Sequence, residues 1–142
     1  MEINLKEKEV ENLIPQKFPF IMVHQLISYS ENQLVSSFTI TKENIFTQGA
    51  VFQDSGIIEH MAQSVALHTG YQFFIKNEAA PTGYIGSIKK IDIYQQPVTG
   101  DTLTTTVDIL HEFAGVTLVE ILVKNGEEIV AAGQMKTVIA SE

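Results

Sequence analysis

The stretch "GIIEHMAQSVALHTGYQFFIK", Gly56 to Lys76, decides how this chain is read, because it is the one long segment with helical periodicity. At about 100° per residue, Ile58, Met61, Ala62, Val65, Ala66 and Phe73 share one arc. Glu59, His60, Gln63, Ser64 and His68 share the other, but Ile57, Leu67 and Phe74 interrupt it. A helix apolar on so much of its circumference is expected to be buried nearly all round. Asp54 or Ser55 is the natural N-cap, and Gly70 with the following "NEAAPTG" is expected to end the helix. Within it Glu59 stands among Ile57, Ile58, Met61 and Ala62, where a carboxylate is costly unless it has a partner or a task.

Working outward, nearly everything else reads as strand. "FIMVHQLISY" (20–29) and "QLVSSFTIT" (33–41) flank the polar turn "SEN" and predict a hairpin. Ahead of them "EKEVENLIP" predicts a short helix that Pro15 stops. After them "KENIFTQGAVFQDSG" reads as a long loop, a kind of segment that commonly carries function. The last third gives four strands, 84–96, 102–110, 116–125 and 129–140, separated by "PVTGD" and "NGEE" turns. Their partial alternation of polar and apolar residues suits an antiparallel sheet covered on one face. One long helix and one sheet imply an α+β arrangement with the sheet wrapped around the helix.

Composition sets the remaining bounds. The chain has 142 residues, 44% hydrophobic and 18% charged, which suits one globular domain over 1–142. It holds no cysteine, so disulfides, thiolate metal sites and cysteine nucleophiles are excluded. The charged start "MEINLKEKEVENL" and the lack of a long apolar run lead to the expectation of a soluble cytoplasmic protein without a membrane partner. With 17 acidic against 9 basic side chains and a net charge of -8, nucleic-acid binding is disfavoured.

Three motifs, in order, resemble the hotdog-fold 3-hydroxyacyl-[acyl-carrier-protein] dehydratases. "LIPQKFPFIMVHQL" is similar to the family's opening segment. "IIEHMAQS" resembles its central-helix signature, and "QQPVTGDTLTTTV" its strand-turn-strand. The resemblance covers nearly the whole chain. It implies a dimer whose sheets join edge to edge, with an acyl tunnel at the interface. Catalysis there pairs a histidine of one subunit with a helix glutamate of the other, and Glu59 falls on that glutamate position, followed by Gln63. The family histidine lies in a "G-H-F-P" loop, whereas here Gly49 is followed by Ala50, Val51 and Phe52. Gln95 and Gln96 stand where the family has paired arginines. In these departures the chain resembles a divergent branch associated with aryl-polyene and related pigment or lipid clusters, whose members can pair with a dehydratase-like paralogue.

Dehydration of a 3-hydroxyacyl thioester needs a base at C2, an acid at the C3 hydroxyl and donors for the thioester carbonyl. Glu59 is the candidate acid, since apolar neighbours favour the neutral form that donates a proton. The helix start, Ser55, Gly56 and Ile57, offers unpaired N–H groups to the thioester. Gly56 would allow close approach, and Gly49 and Gln63 complete the expected substrate contacts. His24, on a predicted strand, is the intramolecular substitute for the missing base; packing in the core or at a dimer contact is its simpler role. His60 lies about 100° from Glu59 round the helix and reads first as a packing residue, second as a site residue. His60 and His68 are two turns apart, which does not suit helical zinc ligands, so no metal or other cofactor is expected. Three functions compete: a dehydratase acting on a carrier-bound acyl chain, as homodimer or heterodimer; a hotdog thioesterase using the helix carboxylate alone; and a non-catalytic partner subunit of a heteromeric dehydratase.

Overall fold

A computed structural model describes residues 2–139; the expected end of the last strand at Ala140 lies outside them. The chain runs through β1 (Glu2–Leu5), α1 (Glu7–Glu11), β2 (Gln25–Tyr29), β3 (Gln33–Thr39), β4 (Thr47–Gln48) and β5 (Val51–Phe52). Then come α2 (Asp54–Phe74), β6 (Gly83–Ile93), β7 (Thr102–Phe113), β8 (Val116–Asn125) and β9 (Glu128–Ile139). Seven strands form one antiparallel sheet in the order β1-β2-β3-β7-β8-β9-β6. The sheet curves around α2, the α+β hotdog arrangement implied by the sequence. Phe38, Leu103, Ile121 and Met135 from the sheet and Ile57, Met61 and Leu67 from α2 are fully buried between them. Each such side chain contributes about 1.5–3 kcal/mol by leaving water.

Several expectations need correction. The strand expected over 20–29 begins only at Gln25, because the backbone of residues 20–22 bonds to α2 side chains instead of a neighbouring strand. β1 went unread in the sequence, and the segment read as a plain loop holds the β4–β5 hairpin. Gly49 and Ala50, at φ +54° and +71°, form its turn, the doubly left-handed geometry that joins twisted strands. The N-cap is Gln53, without a side-chain bond, and Asp54 lies in the first turn, where its charge complements the helix dipole. Gly70 does not end α2. A Cβ there would lie 1.9 Å from the Leu13 carbonyl oxygen, so Gly70 is where the amino-terminal segment rests on the helix. The stop comes at Asn77, left-handed at φ +59°, with the Glu78 N–H donating to the Phe73 carbonyl, a closure of Schellman type.

Candidate active site

The arc that α2 buries is mixed, its polar residues lying among Ile57, Met61, Leu67 and Tyr71. His60, Gln63, Ser64 and His68 are buried, while Ile58, Ala62 and Ala66 are half-buried on the opposite side. Each buried polar side chain has a partner, the condition for tolerating it in a core. The Ser64 and Ser36 hydroxyls lie 2.8 Å apart, and Ser36 pairs across the sheet with Thr105, which meets His60.

Gln63 is the centre of this arrangement. Its Oε1 accepts the Met22 N–H at 2.7 Å, and its Nε2 donates to the Phe20 carbonyl at 2.8 Å and to Glu59 Oε2 at 2.7 Å. Both amide hydrogens and one acceptor position of Oε1 are thus engaged: the side chain anchors residues 20–22 to the helix and fixes one oxygen of the Glu59 carboxylate. The side chain expected to meet substrate is thus held by backbone and by Glu59. It positions Glu59. Glu59 is half-buried, and among the described residues its Oε1 has no hydrogen-bond partner. Spacing of four residues puts Glu59 and Gln63 on one helix face, so this pair was legible in the sequence; the backbone partners of Gln63 were not.

His60 lies within the core with both ring nitrogens engaged, Nδ1 at 2.6 Å from the Met22 carbonyl and Nε2 at 2.6 Å from Thr105 Oγ1. A carbonyl can only accept, so the proton is assigned to Nδ1 and Nε2 accepts from the threonine hydroxyl. Burial pushes its pKa down to about 4, against the raising effect of the Met22 bond. A neutral histidine with no free nitrogen cannot serve as the base at Glu59, and the reading of His60 as a site residue is corrected to a core clamp. His24, in turn, accepts the Thr39 N–H at Nδ1, 3.2 Å. Its Nε2 lies 3.9 Å from the Glu7 carboxylate of α1, and its ring packs on Phe38. Burial lowers its pKa, with Glu7 and then Glu11 opposing. His68 is held by the Ser30 carbonyl at 2.9 Å, and burial lowers its pKa as well.

The helix start differs from expectation. Gly56 gives no access to a ligand, because the space of its missing Cβ is filled by the Phe52 ring and Phe46, at 2.5 and 2.7 Å. The Gly56 and Ile57 N–H groups donate to the Gln53 carbonyl, and the Ile57 side chain is in the core. Ser55 is exposed in the first turn, where amides lack partners within the helix. Gly49 is at the exposed tip of the β4–β5 hairpin. That hairpin is tied down by Phe52 N–H to Pro97 O and Thr99 N–H to Ala50 O, at 2.9 and 2.8 Å. At the same end Gln96 donates to Asp54 at 2.9 Å and Gln95 to Glu128 at 3.0 Å, so this rim presents amides and carboxylates without a guanidinium. Among the described residues no cluster of three or more His, Asp or Glu side chains could hold a metal ion, and no helix is long and apolar enough to cross a membrane.

A sheet wrapped on one helix, with a positioned carboxylate on that helix, defines a hotdog-fold protein with a candidate acid-base group. Comparisons with known proteins agree. The ApeP-like family, described as ApeP dehydratase, matches residues 8–142, and the chain belongs to that family. The 3-hydroxyacyl-[acyl-carrier-protein] dehydratase FabZ of Vibrio atlanticus is 27% identical over 138 residues, covering 90% of this chain and 89% of the relative. Among solved structures, the dehydratase heterocomplex ApeI:P of Xenorhabdus doucetiae superposes with a TM-score of 0.87 at 17% identity, over 97% of this chain and 93% of that one. A hypothetical thioesterase with coenzyme A from Streptococcus pneumoniae gives 0.67 at 10% identity, over 82% and 85%. At such identities these structures bear on the fold alone.

Proposed function

We propose that this chain supplies the glutamate half of a dehydratase that converts a 3-hydroxyacyl thioester, carried on an acyl carrier protein, to the enoyl thioester in fatty-acid- or polyene-type lipid synthesis. The observation that carries the reading is the Glu59 carboxylate on the outward side of α2, one oxygen fixed by Gln63 and the other open. In the reaction a base removes a proton from C2 and the C2–C3 double bond forms. The C3 hydroxyl takes the Glu59 proton and leaves as water. Ser55 is the first-turn amide best placed to meet charge developing on the thioester oxygen.

This chain does not furnish the base at Glu59. Ala50 and Val51 stand in place of a loop histidine, the His60 nitrogens are both occupied, and those of His24 face the Thr39 N–H and the Glu7 carboxylate. The base therefore comes from a second chain, and a dehydratase-like paralogue bearing that histidine is the partner this reading requires. The half-buried Ile58, Ala62 and Ala66 suit a surface that such a chain covers. The lone carboxylate also supports a second reading, thioester hydrolysis with Glu59 as base or nucleophile.

The test is turnover of 3-hydroxyacyl thioesters of several chain lengths, following enoyl product and free thiol. The chain alone is expected to be inactive; with a histidine-bearing paralogue, enoyl product forms and Glu59→Gln abolishes it. Free thiol released by the chain alone would establish the thioesterase instead. Enoyl product from the chain alone would overturn the need for a second subunit.

A further inference from the structure

The sheet has two edges of very different character. β1 has four residues and an irregular register. β6 has eleven, and among the described residues no strand pairs with its outer backbone edge. Ile85 and Ile88 pair with Thr137 and Met135. Met135 is fully buried, so these isoleucines point to the inner face, yet they are 42% and 47% exposed because α2 does not reach them. Tyr84 is 61% exposed beside them. A long apolar edge of this kind is a template for another strand.

The same edge carries a charge pattern that works against a copy of itself. Register shifts make Gly86 and Lys89 the extra residues of two bulges. Lys90 lies 3.5 Å from Asp92, whereas Lys89, displaced by its bulge, has no ion-pair partner among the described residues. Two-fold antiparallel pairing over the full length of β6 centres on Ile88. It sets Lys89 opposite Ser87 and Lys90 opposite Gly86 of the copy. The two Lys89 backbones then lie about 8 Å apart, from roughly 3.3 Å rise per residue and 4.8 Å between strands. That is about one Debye length at physiological ionic strength, so the two unpaired Lys89 charges repel across the middle of the joint, with Lys90 of each copy beside them. Sliding the centre away relieves them only by giving up paired residues at both ends.

We propose that β6 selects a different chain over a copy of itself, namely a like-folded subunit whose edge strand carries carboxylates opposite Lys89 and Lys90. Charge complementarity at the joint enforces the pairing while Tyr84, Ile85 and Ile88 supply the buried area. This rests on the heteromeric reading above and names the surface and chemistry of the partner.

The test uses the chain itself. Wild type is mixed with a mass-tagged Lys89→Glu/Lys90→Glu variant and the dimers are counted by native mass spectrometry. Mixed dimers are expected about tenfold above random association, and the excess should fall toward random near 1 M salt. A Lys89→Gln/Lys90→Gln variant should self-associate about tenfold more tightly than wild type, and it decides the matter if circular dichroism shows the reversed variant unfolded. Random mixing, or a wild-type dimer whose affinity ignores both salt and the glutamine changes, overturns the proposal. So does an acyl carrier protein that binds wild type and loses the glutamine variant while self-association stays the same; the lysines would then be a carrier contact. Because the readout is mass and not turnover, a negative result leaves the dehydratase reading standing, and failed turnover leaves this one standing.

Discussion

The two sides of α2 differ in where their polar residues go: most are buried against the sheet among Ile57, Met61 and Leu67, and few remain on the outer side. The side against the sheet holds His60, Gln63, Ser64 and His68, each bonded to backbone or to a neighbouring hydroxyl. The side away from the sheet holds Ile58, Ala62 and Ala66, half-buried, with Glu59 among them. Polar residues here share the core joint with Ile57, Met61 and Leu67, and half-buried apolar ones surround the candidate chemistry. Hydrogen-bonding residue types on a helix therefore do not mark a solvent face when each can find a partner inside, and a small apolar stripe left half-covered points to something that covers it.

The comparison breaks most sharply at Glu59. Glu59→Gln should lower the dehydration rate of the assembled enzyme by about 10²–10⁴-fold and leave the thermal midpoint essentially unchanged, since the amide still accepts from Gln63. A loss of folding in place of activity would move Glu59 to the structural side. Acidification probes the other side. An unfolded histidine binds its proton near pH 6.5 while His60 in the fold does so near 4, so between those values the unfolded chain holds more protons. The stabilising contribution is complete above about pH 6.5 and is lost as pH falls to about 4, by roughly 3 kcal/mol. His24 and His68, also lowered, act in the same direction. Denaturant titrations at pH 7 and 4.5 measure this, and His60→Phe should flatten the difference.

Gln63 belongs to both sides, and Gln63→Ala should show it. Stability is expected to drop by about 1–3 kcal/mol as the Met22 N–H and Phe20 carbonyl lose their partner. The maximal rate should drop about tenfold further, with KM little changed, as Glu59 loses its orientation. Steady-state kinetics below the unfolding temperature separates the two effects. The smallest change is Ser36→Ala, about 1 kcal/mol from the buried hydroxyl pair with Ser64 and no effect on rate.

The four later strands, the β2–β3 hairpin and α2 were legible because period-two and helical patterns are properties of neighbouring residues. What escaped reading depends on distant ones. Residues 20–24 have strand composition but lose part of their ladder to Gln63 and His60, some forty positions away. The β4–β5 turn places Ala50 in a left-handed conformation that few sequence rules expect of alanine. At the site, Glu59 was legible from its motif, and Gln63 from its spacing as a residue of the same face. The sealing of Gly56 by Phe46 and Phe52 was not, because a glycine reads alike whether it admits a ligand or a ring.

The contact between Gly70 and the Leu13 carbonyl bears on how the chain assembles and breathes. It joins segments separated by β2, β3, the β4–β5 hairpin and most of α2, so it closes a long loop and comes late in folding. The amino-terminal strand and α1 should therefore behave as a separate opening unit, exchanging their amide hydrogens well before the β7–β8–β9 ladder does. Since His24 leans on Glu7 of that unit, such opening would remove the carboxylate that faces its Nε2.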